Sequence, residues 1–195
     1  MDKKDVIAFF DAHAASWDAE NVRNEAVISK ILRNAGVRPG VDLLDVACGT
    51  GLLIPDYLSR GVSRVLGVDI SEEMIKLAKD KFPGPETEFL CADAGELRTE
   101  RRFDCIVIYN AFPHFADPEG TVANLSGLLK PGGRLTVAHG ASRDEINAFH
   151  QANGAAEISL GLPPADELAR MMKRYLSLTL VISDDEYYQL VGRKP

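Results

Sequence analysis

The 195-residue sequence is short of basic residues and of long apolar runs, and each shortage excludes a class of protein. Lys and Arg number 22 against 29 Asp and Glu, and this acidic balance argues against binding nucleic acid through its phosphates. No apolar run reaches the length of a membrane span. The first stretch of the chain is rich in acidic residues and lacks the apolar core of a signal peptide. We therefore expect neither a nucleic-acid partner nor a membrane partner.

Cysteine is also scarce, with three residues and no C-x-x-C pair. An odd number of thiols, placed in or beside strand-like stretches, indicates reduced cysteines, so we expect a cytoplasmic protein. The length suits one domain with its own core, and neither a repeat nor a low-complexity segment divides the chain. The sequence therefore predicts a single domain over residues 1–195.

The pattern that organises the chain is a short apolar run, residues 41–46, which leads into Gly49-Thr50-Gly51 and then a helical pattern. A strand–turn–helix unit of this kind suits a cofactor, because glycine lets the backbone approach a ligand and a helix start offers free N–H groups. Ile54 stands where a dinucleotide motif G-x-G-x-x-G needs its third glycine, which disfavours a nicotinamide oxidoreductase. No G-K-[ST] is present, so a P-loop is excluded. A tight turn that binds no ligand is the remaining alternative.

Strand and helix patterns alternate up to residue 138, which predicts a doubly wound parallel sheet. Helices are predicted over residues 2–15 and 21–35, with a break at 16–18, and a further helix over 52–60. Two β-rich runs, 176–182 and 187–193, are joined by a short turn and predict an antiparallel hairpin at one sheet edge. The expected fold class is therefore α/β.

Three aspartates follow consecutive predicted strands at equal spacing, namely Asp45, Asp69 and Asp93. Ligands of doubly wound sheets bind outside the carboxyl ends of the strands, so these carboxylates are expected to face one crevice. Asp69 is placed to accept both hydroxyls of a ribose, and Asp93 to accept an adenine amino group. Ile70 and Met74 would then pack on the adenine. The alternative is that the three aspartates only cap helices or turns.

Several motifs resemble those of class I S-adenosylmethionine (SAM) dependent methyltransferases. Asp45 with the following Ala47-Cys48-Gly49-Thr50-Gly51 resembles their first motif, with Ala47 in place of its first glycine. Residues 67–74, Gly-Val-Asp-Ile-Ser-Glu-Glu-Met, and residues 128–135, Leu-Leu-Lys-Pro-Gly-Gly-Arg-Leu, resemble two more. The stretch 10–18 resembles the lid of family members that act on small molecules. The resemblance covers residues 5–140, the bulk of the chain.

The resemblance implies a Rossmann-like, seven-stranded, mostly parallel sheet that ends in an antiparallel C-terminal hairpin. Residues 1–36 would form lid helices, 37–138 the cofactor-binding core, and 139–195 the substrate-side helices and hairpin. The implied activity is methyl transfer from SAM to an unidentified small-molecule acceptor, and a SAM-binding sensor without catalysis is the alternative. Carried over by position, the SAM contacts are Trp17, Asp45, Ala47, Cys48, Gly49, Asp69, Ile70, Met74, Asp93, Ala94 and Asn110.

The loop after the fourth predicted strand restricts the class of molecule that can accept the methyl group. Methyltransferases that act on nucleic-acid bases or on a protein glutamine carry [NDS]-P-P-[YF] at this place. Residues 110–113 read Asn-Ala-Phe-Pro and do not match it. Together with the acidic charge, this departure disfavours methylation of a base.

Three histidines are the predicted catalytic residues. His114 follows the fourth predicted strand, His139 ends the fifth, and His150 lies on the next helix with Asn147 on the same face. Neutral imidazoles can remove a proton from a hydroxyl, thiol or amine, whereas three imidazoles can also hold a metal ion. The first role is favoured because no acidic residue is clearly placed to support metal ligands, so no metal is predicted. A purely structural role is the alternative for each histidine.

Overall fold

The computed structural model describes residues 1–20, 22–152 and 155–195. Within them the chain forms the helices α1 Lys3–His13, α2 Trp17–Glu20, α3 Glu25–Asn34, α4 Ile54–Ser59, α5 Glu72–Lys81, α6 Pro118–Gly127, α7 Arg143–Ala152 and α8 Ala165–Met172. Short 3-10 helices cover Phe112–His114 and Ala155–Ile158. The strands are β1 Asp42–Val46, β2 Arg64–Asp69, β3 Thr87–Cys91, β4 Phe103–Tyr109, β5 Leu129–His139, β6 Ser177–Ser183 and β7 Tyr188–Arg193.

The seven strands form one sheet in the order β3-β2-β1-β4-β5-β7-β6. Strands β1 to β5 are parallel, whereas β7 is antiparallel to both β5 and β6. The strand order reverses between β1 and β4, and in doubly wound sheets this switch point opens the ligand crevice. The predicted α/β fold, with a mostly parallel sheet and an antiparallel hairpin, is confirmed.

Helices cover both faces of the sheet because the side chains of its strands alternate between two apolar clusters. Ile106 and Ile108 of β4 belong to one cluster, which also contains apolar residues of α6 and α8. Cys105 and Val107 belong to the other, with apolar residues of α3, α4 and α5. Helix α3 is therefore part of the packed core, whereas α1 and α2 contribute no residue to either cluster.

Some predicted helix boundaries are wrong, and local chemistry explains the differences. The helix predicted over 21–35 begins at Glu25, because the Asn24 side chain accepts a hydrogen bond from the Val27 amide and caps it there. The helical pattern places Val22 on the inner face, yet it is 99% exposed, and Asn21 lies outside the described residues. The helix predicted over 52–60 is shorter because Pro55 sits in its first turn, where proline is tolerated. The predicted break at 16–18 instead opens the short helix α2.

Polar contacts hold α1 and α2 over the carboxyl ends of the parallel strands. Asp11 accepts a hydrogen bond from the Ser71 hydroxyl at 2.6 Å, at the start of α5. Asp18 accepts one from the Thr50 hydroxyl at 2.5 Å and pairs with Lys81 at 2.7 Å. The two helices therefore roof the crevice at the switch point. Among the described residues, none of the helices combines the length and apolar composition that crossing a bilayer requires.

Candidate active site

Two adjoining cavities of about 90 and 140 Å³ lie at the carboxyl ends of the parallel strands. The first lies against the loops after β1, β2 and β4, and the second against the loops after β2, β3 and β4. Both are in contact with Val6, Ala47, Asp69, Ile70 and His114, so they form one divided cleft. The structure brings all the residues predicted to contact SAM to this cleft. Nine line the first cavity, namely Trp17, Asp45, Ala47, Cys48, Gly49, Asp69, Ile70, Met74 and Asn110, and the second adds Asp93 and Ala94.

The loop after β1 reaches its shape through left-handed backbone conformations. Ala47 and Gly49 both have φ of 54°, and Gly51 has φ of 88°. A β-carbon on Gly51 would lie 2.7 Å from the Phe82 ring, so glycine is required there. Ala47 holds a left-handed conformation that costs a residue with a side chain about 1–2 kcal/mol. The structure therefore keeps local strain at the residue that replaces the family's first glycine.

Two buried carboxylates form the floor of the first cavity. Asp45 is 3% exposed, and its Oδ1 accepts a hydrogen bond from the Tyr57 hydroxyl at 3.1 Å. Burial raises the pKa of Asp45 from 3.8 to about 7. Asp69 accepts hydrogen bonds from the Gly49 amide at 2.8 Å and from the Ser71 amide at 2.9 Å. Burial also raises the pKa of Asp69, although these bonds oppose the shift.

The chemistry of this floor fits SAM better than a dinucleotide. None of the described residues lining the first cavity is Lys or Arg, and Asp45 and Asp69 both line it. A buried carboxylate beside a cavity favours a cationic ligand, because a positive charge offsets the desolvation of its ionised form. SAM carries an ammonium and a sulfonium group, whereas a pyrophosphate would add negative charge to an acidic site. The residues present therefore fit the cofactor that the motifs imply.

The second cavity ends at Asp93, whose carboxylate contacts the N-terminal helix. Its Oδ1 accepts a hydrogen bond from the Gly95 amide at 2.8 Å, and its Oδ2 pairs with the Lys3 ammonium. Lys3 also pairs with Glu96 at 2.7 Å. The carboxylate assigned to the adenine amino group by sequence is thus also a contact between the roof and the strand ends.

A third cavity, of about 340 Å³, lies beside the first and contains the three predicted catalytic histidines. We call it the acceptor cavity. The rings of His114 and His150 lie 4.9 Å apart between centroids. The described residues that line it are Phe9, Phe10, His13, Trp17, Glu20, Asn110, His114, His139, Ile146, Phe149 and His150. Four of them also line the first cavity, namely Phe10, Trp17, Asn110 and His114, and we call these four the shared wall.

Hydrogen bonds and burial determine the protonation of the histidines. His114 Nδ1 lies 2.8 Å from the Ile158 carbonyl oxygen, and because a carbonyl only accepts, Nδ1 carries the proton and Nε2 keeps a lone pair. Burial lowers the pKa of His114 to about 4, with a smaller contribution from His150. Burial likewise lowers the pKa of His139 to about 3. His150, whose Nδ1 lies 2.9 Å from the Ser159 hydroxyl, has a pKa lowered by partial burial. All three rings are therefore neutral near pH 7.

His139 differs from the other two because neither of its ring nitrogens has a hydrogen-bond partner among the described residues. It is 1% exposed, at the end of β5, and its ring meets the Tyr188 ring edge-on at 6.3 Å. The part of the chain that the structure describes contains no group of three or more His, Cys, Asp or Glu side chains arranged to hold a metal ion.

Asn147 lies three residues before His150 on α7, but it is not among the residues that line the acceptor cavity. Its side chain donates to the Leu162 carbonyl at 3.1 Å and accepts from the Leu162 amide at 2.6 Å, which anchors the loop before α8. Sequence reasoning also missed Phe9 and Phe149 as cavity residues. The helical pattern places Phe9 on the apolar face of its helix. Such a pattern does not show whether that face packs against a sheet or covers a cavity.

Comparison with known proteins identifies the family. Residues 44–137 match the model of the methyltransferase domain family. The chain is 29% identical to a malonyl-[acyl-carrier protein] O-methyltransferase of Acetivibrio thermocellus, over 86% of this chain and 61% of that protein. It is 30% identical to the ubiquinone/menaquinone biosynthesis C-methyltransferase UbiE of Klebsiella pneumoniae, over 94% of this chain and 79% of that protein. The chain thus spans less than two thirds of the first relative and more than two thirds of the second.

Solved structures agree on the fold. The N-methyltransferase NodS of Bradyrhizobium japonicum, in complex with S-adenosyl-L-homocysteine, superposes with a TM-score of 0.76. The match covers 97% of this chain and 98% of NodS at 16% identity, so it supports the architecture alone. The sequence relatives, the matching domain model and the sheet order agree: the chain belongs to the class I SAM-dependent methyltransferase family.

Proposed function

We propose that this protein transfers the methyl group of SAM to a small molecule held in the acceptor cavity. The observation that carries the proposal is the shared wall, where Phe10, Trp17, Asn110 and His114 border both the cofactor cleft and the acceptor cavity. A methyl group that leaves one cavity at this wall enters the other directly. Alignment of nucleophile, methyl carbon and sulfur supplies much of the rate enhancement in such a displacement.

The cofactor-side roles follow from the chemistry of each residue. Asp45 would pair with the ammonium of the methionine part, because it is one of the two buried carboxylates at the floor of the first cavity. Asp69 would accept the ribose hydroxyls, and Ile70 and Met74 would pack on the adenine. Asp93 would accept the adenine amino group while its neighbour Lys3 adjusts. Trp17, Ala47, Cys48, Gly49, Ala94 and Asn110 would shape the rest of the cleft. Bound there, SAM supplies an electrophilic methyl on a positively charged sulfur.

His114 is the proposed base. Its Nδ1–H is held by the Ile158 carbonyl, so Nε2 is the nitrogen free to accept a proton. Burial lowers its pKa to about 4, which keeps the ring neutral before transfer. The nearby positive charge disappears as the methyl group moves, so protonation of the ring becomes easier during the step. His139 would hold the acceptor, and His150, which is half-buried, would connect the site to solvent.

The roof formed by α1 and α2 would exclude water from the transfer point. Phe10 and Trp17 contribute to both cavities, and the contacts of Asp11 and Asp18 hold the two helices down. We therefore propose residues 1–36 as the segment that contains the lid, 37–138 as the cofactor core and 139–195 as the acceptor side. Opening of α1 and α2 would admit both ligands.

The relatives named above methylate different acceptors, so they support the reaction class rather than one acceptor. The acidic composition supports a small molecule rather than a nucleic acid. Cys48 and Cys105 are buried and Cys91 is exposed, and none of them is paired in a disulfide. This reduced state is in keeping with a cytoplasmic location, which we also propose.

Incubation with methyl-labelled SAM and a fractionated metabolite extract tests the function. We expect a labelled small molecule and an equal amount of S-adenosylhomocysteine. His114→Gln should bind SAM normally and lose most of the labelled product. Tight SAM binding without any product in the wild type would contradict the proposal and favour a sensor.

A further inference from the structure

The acceptor cavity is uncharged over most of its lining. Of the described residues around it, none is Lys or Arg, and its one carboxylate, Glu20, is exposed. His114, His139 and His150 are neutral near pH 7, because burial lowers their pKa values. An anionic group bound beside these histidines would lose its hydration without gaining a positive charge to pair with. The lining thus selects against carboxylates and phosphates at the reacting end of the acceptor.

His139 indicates which polar group the acceptor carries. Both of its ring nitrogens lack a partner among the described residues although His139 is almost fully buried, and an unpaired buried polar atom costs about 1–3 kcal/mol. A neutral imidazole presents one N–H donor and one lone pair. A hydroxyl both donates and accepts, and so it matches either nitrogen. A carboxylate only accepts hydrogen bonds, so it cannot pair with the imidazole nitrogen that carries the lone pair. An ammonium only donates, so it cannot pair with the imidazole N–H.

Aromatic side chains form the remaining walls. The Phe10 ring meets the Trp17 ring at 5.5 Å and the His114 ring at 5.2 Å, both nearly edge-on. Phe9 and Phe149 also line the cavity, and Phe149 is 61% exposed. Edge-on and offset contacts between aromatic rings contribute about 0.5–1.5 kcal/mol beyond the burial of area. These walls favour a planar aromatic ring.

We infer that the acceptor is an uncharged aromatic alcohol, held by His139 through its hydroxyl and methylated on the hydroxyl oxygen. This inference rests on the proposed function. A lone pair of the oxygen forms the new O–CH3 bond while the C–S bond breaks and its electron pair stays on sulfur, which becomes an uncharged thioether. The hydroxyl proton passes to His114 Nε2 and then to solvent. The products are an aryl methyl ether, S-adenosylhomocysteine and one proton.

A panel of matched acceptors tests this inference with the whole chain and SAM. Naphthol, catechol and hydroquinone are uncharged aromatic alcohols, protocatechuate adds a carboxylate to catechol, and aniline replaces the hydroxyl by an amine. Cyclohexanol lacks the planar ring, and veratrole has both catechol hydroxyls blocked. S-adenosylhomocysteine is quantified by mass spectrometry. We expect kcat/KM to be at least about tenfold higher for one or more of the uncharged aromatic alcohols than for every other compound, which corresponds to about 1.4 kcal/mol.

His139→Phe tests the proposed contact. It keeps an aromatic ring of similar size and removes both nitrogens, so KM for the preferred acceptor should rise about tenfold or more while SAM affinity stays unchanged. His139→Asn restores a donor and an acceptor and should recover part of the loss. The matched control is Thr136→Val, because Thr136 lies on the same strand, is fully buried and has a hydroxyl outside the cavity that lacks a partner among the described residues. The control should leave both constants unchanged.

The possible failures are distinguishable. If the protein binds SAM by calorimetry but prefers protocatechuate or aniline, or turns over no uncharged aromatic alcohol, the acceptor class is wrong and the proposed function stands on its own test. If His139→Phe stabilises the protein and leaves KM unchanged, the ring nitrogens are satisfied by a buried water and the contact is wrong. If SAM does not bind, the proposed function fails first.

Discussion

Replacing Asp45 with asparagine should stabilise the cofactor-free protein and weaken its binding of SAM. Asp45 is buried at the end of β1, and its pKa is raised from 3.8 to about 7. A carboxyl group whose pKa is raised on folding destabilises the protein increasingly as the pH rises towards the folded value. The asparagine side chain has no charge to bury, and its oxygen can still accept the hydrogen bond from the Tyr57 hydroxyl.

The magnitude follows from the two pKa values. With about 1.4 kcal/mol per pKa unit, the ionisable side chain destabilises the fold by about 4 kcal/mol at pH 8 and by about 1.5 kcal/mol at pH 5. The new amide hydrogens of the asparagine can cost about 1–3 kcal/mol if they stay unpaired, but that cost does not change with pH. The free energy of unfolding of Asp45→Asn, relative to that of the wild type, should therefore increase by about 2.5 kcal/mol from pH 5 to pH 8, whatever the pH-independent cost of the amide hydrogens. For a chain of this length this is roughly 5–10 °C in Tm.

Thermal melts of both proteins at several pH values, without SAM, measure the difference. Asp104→Asn is the matched control, because Asp104 lies at the opposite end of the sheet and its pKa shift has the opposite sign. Burial raises the pKa of Asp104, but hydrogen bonds from Lys130 and from the Asp42 amide outweigh it and lower the net value. Asp104→Asn should be less stable than the wild type. Most of this loss should appear at pH values where the Asp104 carboxyl group is ionised, because its lowered pKa stabilises the fold there. A Tm difference for Asp45→Asn that is the same at pH 5 and pH 8 would contradict the raised pKa of Asp45.

Three further substitutions have defined outcomes. Asp69→Asn should weaken SAM binding at least about tenfold, since charge-assisted hydrogen bonds are worth roughly 1.5–3 kcal/mol, and unaltered calorimetric affinity would show that Asp69 only holds the Gly49 and Ser71 amides. His114→Gln should lower kcat by about 10²–10⁴-fold and spare SAM affinity. Because the pKa of His114 is about 4, wild-type activity should lose its base only as the pH falls towards that value, and an added limb near the ordinary histidine pKa of about 6.5 would contradict the assignment. Ala47→Gly should relieve about 1–2 kcal/mol of left-handed strain against about 0.5–1 kcal/mol of glycine entropy, so denaturant melts should show equal or slightly higher stability.

The sheet and the cofactor cleft could be predicted from sequence because they depend on local patterns. Apolar runs that end in an aspartate or a glycine turn mark the carboxyl ends of parallel strands, and those ends meet at one edge. Asp45, Asp69 and Asp93 therefore reach the same cleft although they lie far apart in sequence. The short turn before Tyr188 likewise predicts the antiparallel hairpin of β6 and β7.

Other features depend on packing between distant segments and were not predictable. Val22 has an apolar side chain in a helical pattern, and only the capping contact of Asn24 shows that the helix starts after it. The two ring nitrogens of His139 lack partners among the described residues. This depends on how α1 and α7 pack around the acceptor cavity. The lining of the acceptor cavity by Phe9 and Phe149 depends on where the roof sits, which no local period encodes.

A crystal structure of the protein with S-adenosylhomocysteine tests the proposed function most directly. We expect the thioether sulfur at the shared wall of Phe10, Trp17, Asn110 and His114, with the ribose at Asp69 and the adenine towards Asp93. A ligand bound elsewhere, or one whose sulfur is separated from the acceptor cavity by closed protein, would contradict it.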